Sequence, residues 1–169
     1  MKPRIMRAAA RPTAKAEPAN FVGTVLSDPV FAPEGPSRLR ASRVSFMPGG
    51  RTNWHKHAVG QILYVLSGVG RYQLEGEPVQ EIKPGDTVVI PPNARHWHGS
   101  APETMMVHLA MSETNEKGEA TTWLEPVSCL LTELLERTRF PAPGTAVTCA
   151  VSGGADSLAL LVLARAAEL

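Results

Sequence analysis

Three histidines and a glutamine stand where a metal site would need them. His55, His57 and Gln61 fall in one short stretch and His96 in a second. Residues two apart on an extended strand face the same side, so His55 and His57 point together while Lys56 points away. Gly60 permits a turn, and Gln61 can open the next strand with its side chain returned to the same centre. His96 follows Pro91-Pro92 and can enter from another strand. Three imidazole nitrogens and one amide oxygen suit a divalent first-row metal, with positions open for water or substrate. A lone His-x-His pair would read as ordinary loop histidines; four donors in two clusters do not.

Glutamine in this set brings no charge where a carboxylate would bring one. The site then keeps the full dipositive charge of its metal, which lowers the pKa of bound water and favours anionic ligands. A neutral ligand also holds the metal less tightly, so the metal bound depends on supply. His98 shares strand parity with His96 and lines the same space, either beside the ligands or in a direct role. His108 sits in Met105-Met106-Val107-His108-Leu109-Ala110-Met111. A single histidine on an apolar strand is more often a satisfied core residue than a catalyst. Beside strands that carry metal ligands, an inward His108 is a candidate general base. Thr52, next to the first cluster, joins His108 and His98 as a catalytic candidate. Trp54 and Trp97 are read as packing, and Met105, Met106 and Met111 as core filler.

A β-framework must bring these residues together. Strand-like runs cover 43–46, 61–66, 71–74, 87–90 and 104–111, with Pro48-Gly49-Gly50, Ser67-Gly68, Glu75-Gly76 and Pro91-Pro92 between them. Pro84-Gly85-Asp86 carries the Pro-then-Gly order of a tight turn. Many short strands at this spacing predict a sandwich or small barrel over 19–127. No helical period is evident before residue 128.

The chain has 169 residues and a net charge of +1, enough for one domain with a real core and no general affinity for nucleic acid or membrane. Lys2, Arg4, Arg7, Arg11 and Lys15 make a basic, Ala- and Pro-containing start, expected as a disordered tail over 1–18. It lacks the apolar core of a secretory signal, and no apolar run is long enough to span a membrane. Cys129 and Cys149 fit neither a zinc knuckle nor a redox pair and are expected as reduced, buried thiols of a cytoplasmic protein.

The two histidine clusters resemble the two cupin motifs. The first runs Gly49, His55-Lys56-His57, Gln61 in place of the usual glutamate, then Gly68. The second runs Gly85, Pro91, Asn93 where glycine is usual, then His96, with Ser100 in place of the usual asparagine. The resemblance implies an all-β, single-domain cupin, a double-stranded β-helix or jelly-roll barrel, with a short α/β appendage. Within the cupins, residues 54–61, 96–102 and 108–110 look like the small bacterial manganese hydroxynitrile lyases. That likeness implies a metal on His55, His57, His96 and Gln61, manganese first, with iron, nickel, zinc or cobalt as alternatives. It implies His108 as the acid/base and a cyanohydrin such as mandelonitrile as substrate, cleaved to an aldehyde and hydrogen cyanide. It also implies a homodimer or higher homo-oligomer. A non-catalytic cupin that binds a small ligand through its metal stands as the alternative.

Residues 128–169 change character. Leu130, Leu131, Leu134 and Leu135 fall at helical spacing. A strand-like run over 146–151 then leads through Ser152-Gly153-Gly154-Ala155-Asp156-Ser157 into an apolar helical run. This stretch resembles the SGGxDS loop of the N-type ATP pyrophosphatases, most closely the start of tRNA(Ile)-lysidine synthase. The likeness maps ATP phosphate binding onto Ser152, Gly153, Gly154, Asp156 and Ser157. One strand and one helix cannot close a nucleotide pocket. The segment is therefore expected as a truncated fragment docked as an apolar appendage, and an ATP-binding fragment is the remaining alternative.

Overall fold

The computed structural model describes residues 3–127. In chain order the strands are β1 (Ala14–Lys15), β2 (Phe21–Val22), β3 (Val25–Phe31), β4 (Leu39–Phe46), β5 (Arg51–Thr52), β6 (His55–His57), β7 (Gln61–Gly68), β8 (Gly70–Leu74), β9 (Gln80–Ile82), β10 (Thr87–Ile90), β11 (His96–Ser100), β12 (Met106–Glu113) and β13 (Thr121–Trp123). One sheet has the order β1-β3-β4-β12-β7-β10. In the other, β11 lies between β8 on one edge and β5 and β6 on the opposite edge, with β2, β9 and β13 outside them. Every pairing is antiparallel. Two antiparallel sheets joined by crossovers form a sandwich, as the strand spacing predicted, with the jelly-roll architecture that the resemblance implied. Among the described residues no helix is long and apolar enough to cross a membrane.

Alternation of polarity fixes which way each strand faces. On β7, Gln61, Leu63 and Val65 are buried while Ile62, Tyr64 and Leu66 face outward. A register slip of one residue would turn Gln61 out of the barrel, so the apolar pattern of this strand also aims a site residue. Val25, Val44, Phe46, Val65, Ile82 and Met106 pack between the sheets as the core. Phe46 and Met106 are opposite each other on β4 and β12, and both are fully buried.

Turns carry the rest. Gly60 takes φ +99° before Gln61, and Gly85 takes φ +94° in the Pro84-Gly85-Asp86 turn. That turn is closed by Asp86 N–H donating to Lys83 O (2.9 Å), while the Asp86 carboxylate accepts from Lys83 N–H (2.7 Å). Asn93, where the cupin pattern has glycine, adopts φ 60°, a conformation asparagine tolerates better than most residues.

Differences from the sequence reading have local causes. Ala14 and Lys15, expected within a disordered tail, pair with Ser27 and Leu26 of β3, and Ala8–Ala10 form a 3₁₀ turn. The strand expected over 104–111 begins at Met106, because Met105 gives its carbonyl to Val69 N–H outside the ladder. Of the three methionines read as core filler, Met106 is, whereas Met105 is 43% exposed.

Candidate metal centre

β6 and β11 position the cluster. His55 and His96 are register partners across the two strands, and their ring centroids lie 4.2 Å apart. His57 sits one pleat along β6, its ring centroid 5.2 Å from that of His55 and 5.7 Å from that of His96. Gln61 enters from β7 of the opposite sheet. Its amide oxygen lies 3.2 Å from His96 Nε2, and its side chain also reaches His55 and His57. All four are buried.

The outer nitrogens of the rings are tied back. Asn53 O lies 3.0 Å from His55 Nδ1, Ala94 O lies 2.9 Å from His96 Nδ1, and Thr121 Oγ1 lies 3.3 Å from His57 Nδ1. Burial depresses all three imidazoles, to about 4 for His57 and His96 and well below the usual histidine range for His55. Each ring is therefore neutral near pH 7 and has one N–H. Donation to a carbonyl from Nδ1 of His55 and His96 leaves the Nε2 lone pairs inside, the arrangement that backbone carbonyls behind the ring impose on metal-ligating histidines.

Two features show that a cation fits. His57 Nε2 is buried with no hydrogen-bond partner. His96 Nε2 faces Gln61 Oε1, acceptor against acceptor. Turning the amide over would relieve the second conflict, but a cation between the groups relieves both.

The cavity continues past the cluster. It measures about 160 Å³ and has Phe21, Phe46 and Trp123 as its aromatic lining. Thr52, His98 and His108 also line it. His98 Nδ1 lies 3.2 Å from His108 Nε2, and burial lowers both imidazoles, that of His108 to about 4. His98 Nε2 and His108 Nδ1 are buried without partners. Thr52 Oγ1 accepts from the His98 backbone N–H (3.1 Å), holding β5 to β11 beneath the pair. Among the described residues, no aspartate or glutamate lines this space.

The structure thus gathers all seven residues expected at the site: His55, His57, Gln61, His96, His98, His108 and Thr52. It also brings His98 closer to the cluster than the motif implies: ring nitrogens of His55, His96 and His98 all lie within 4.8 Å of one another. Trp97 packs as expected, buried with its indole N–H on Gln73 Oε1 (2.6 Å), and the Arg95 guanidinium lies 5.2 Å from the Trp54 ring centroid. Sequence reasoning missed Asn53, Thr121, Phe46 and Trp123. Strand parity forward from Val44 could have found Phe46; Trp123 needs the β13–β6 pairing, which no local pattern announces. Ser152, Gly153, Gly154, Asp156 and Ser157 lie outside the described residues, as do Cys129 and Cys149.

A cupin domain family profile matches residues 42–111. A cupin-like protein from Thermotoga maritima is 39% identical, with a TM-score of 0.65 over 69% of this chain and 87% of that one. This chain is a cupin. It is also 47% identical over 108 residues to an (R)-mandelonitrile lyase from Granulicella tundricola, covering 64% of this chain and 82% of that protein. The polyketide cyclase RemF from Streptomyces resistomycificus shares the fold at 19% identity, with a TM-score of 0.60 over 76% of this cupin and 89% of the cyclase.

Proposed function

We propose that this cupin is a metal-dependent lyase that cleaves a small cyanohydrin of the mandelonitrile class to an aldehyde and hydrogen cyanide. One observation carries the reading: a single cavity holds a histidine–glutamine cluster on one side and a buried His98–His108 pair beside it. The similarity to an (R)-mandelonitrile lyase supports the reaction. The Nε2 atoms of His55, His57 and His96 and the Gln61 oxygen would hold the metal, with manganese the first candidate. Bound there, it would supply dipositive charge to stabilise an alkoxide or cyanide.

The chain's own groups do the rest. His108, neutral in its apolar setting, takes the hydroxyl proton of the cyanohydrin. The carbon–cyanide bond breaks, its electron pair leaves on cyanide, and the former hydroxyl oxygen becomes the aldehyde carbonyl. The proton held on His108 passes to cyanide, which balances the step. His98 fixes the His108 ring through the Nδ1–Nε2 contact. Phe21, Phe46 and Trp123 give an aromatic ring an apolar seat, and a cavity of about 160 Å³ is in the size class that takes one six-membered ring.

The test is elemental analysis of the purified chain beside a His55→Ala/His96→Ala variant, followed by a mandelonitrile assay after manganese loading. Near-stoichiometric metal in the wild type alone, with benzaldehyde and cyanide released in equal amounts, supports the proposal. Metal binding without turnover would leave a ligand-binding cupin instead.

A further inference from the structure

Three residues form one cross-strand row at the mouth of the cavity. Arg40 on β4 is the register partner of Ser112 on β12, and Ser112 is the partner of Gln61 on β7. All three line the cavity. Arg40 shares its parity on β4 with Ser42, Val44 and Phe46, the inward residues of that strand. Two strand spacings of about 4.8 Å put its backbone roughly 10 Å from that of Gln61. His108 lies four residues below Ser112 on β12, about 13 Å along the strand. The side chains of Arg40 and His108 reach into the interval between.

Charge is distributed unusually here. Arg38 and Arg43, the arginines nearest in sequence, have Glu113 and Asp28 as partners. Among the described residues Arg40 has no ion pair, and the cavity it lines contains no carboxylate. An unpaired arginine on an open surface is ordinary. Arg40 is exposed at the rim, yet it lines a cavity free of carboxylates among the described residues, which suits it to receive a charge that comes with the ligand. Ser27, Ser42 and Ser112 add hydroxyl-bearing side chains to the lining of the same cavity.

We propose that Arg40 determines specificity in this cavity by receiving a carboxylate at the end of the substrate remote from the histidine cluster. The inference deepens the lyase reading: for the reaction it rests on that reading, for the binding it does not. The substrate class becomes an aldehyde, or its cyanohydrin, that bears an anionic group about one aromatic ring away from the reacting carbon.

The experiment measures binding by calorimetry to the full-length, metal-loaded chain. The probes are 4-carboxybenzaldehyde and benzaldehyde, and the proteins are wild type, Arg40→Gln and Arg40→Lys. Wild type is expected to prefer the carboxylated probe by about ten-fold or more, as a charged hydrogen bond provides. Arg40→Gln should bring the two probes to within about two-fold while benzaldehyde binding stays unchanged, and Arg40→Lys should retain part of the preference. Equal binding of the probes by wild type overturns the inference. So does a preference that survives in Arg40→Gln, since the carboxylate would then be on the metal or the histidines. Cyanohydrin cleavage is read separately: a preference that depends on Arg40, with no cleavage of either cyanohydrin, upholds Arg40 and removes the lyase.

Discussion

His98 and His108 belong to different sheets, yet His98 Nδ1 lies 3.2 Å from His108 Nε2 in the interior between them. Both rings are fully buried, and burial keeps both uncharged. Two neutral imidazoles at this distance share one proton, so the tautomer of one dictates which nitrogen of the other is free. His108, the proposed proton acceptor, is thereby oriented by a residue on the sheet that carries the candidate ligands.

Replacing His108 with alanine should lower kcat on mandelonitrile by about 10²- to 10⁴-fold, the usual contribution of a positioned acid/base. Metal content should stay at the wild-type level, because His108 is not one of the four residues proposed to hold the metal. Elemental analysis on the assayed sample checks both parts. Unchanged kcat would remove His108 from the chemistry.

Gln61→Glu adds a negative charge against three neutral imidazoles. Manganese should be held about ten-fold more tightly or better, and inhibition by added cyanide should weaken, because the centre loses net positive charge. Competition with a chelator measures the first effect and an inhibition constant the second. Tighter cyanide binding in the variant would contradict the electrostatic account.

Acid should unfold the metal-free protein through its histidines. His57, His96 and His108 are held down to about 4 in the folded chain, against about 6.5 in an unfolded one. Between these values the unfolded chain binds protons that the folded chain refuses, so stability falls as pH falls. The contribution is whole above about pH 6.5 and is lost progressively down to about pH 4. Within that window each histidine costs about 1.4 kcal/mol per pH unit. Calorimetric melting of chelator-treated protein should show a plateau above pH 7 and a steep decline from pH 6.5 to 4.5. A midpoint that holds steady or rises on acidification would refute it.

Gly60→Ala should damage the site through the backbone. Gly60 takes φ +99°, and a Cβ there would meet Ile90 O at 2.7 Å. Neither is tolerable for alanine without movement, and a cost of about 2 kcal/mol or more is expected. Since Gln61 follows directly, metal affinity should fall with the denaturation midpoint. Loss of stability at full metal affinity would separate the turn from the ligand.

Much of this was legible in the sequence, for definite reasons. β10 was expected at 87–90 and spans Thr87–Ile90, because a tight turn and two prolines bracket it. The convergence of the candidate ligands was legible because His55 and His57 obey a period of two and Gly60 marks the return to Gln61. Short strands were not: β2, β5 and β13 have two or three residues each and take their identity from partners far along the chain. Nor was the closeness of His98 to His55, which depends on how β11 twists against β6. Arg40 escaped notice because its strand was begun at residue 43, whereas β4 starts at Leu39.

Phe46 touches both members of the histidine pair, its ring centroid 5.7 Å from that of His98 and 5.4 Å from that of His108. It is also fully buried in the core between the sheets. The gap between the sheet that carries the candidate ligands and the strand that carries His108 is therefore a spacer with the thickness of one phenyl ring, not a property of any loop. Leucine or tryptophan at this position would rescale that gap while leaving every donor in place. In the proposed lyase, substrate size and reaction rate can thus drift together through a buried residue that is none of the proposed ligands.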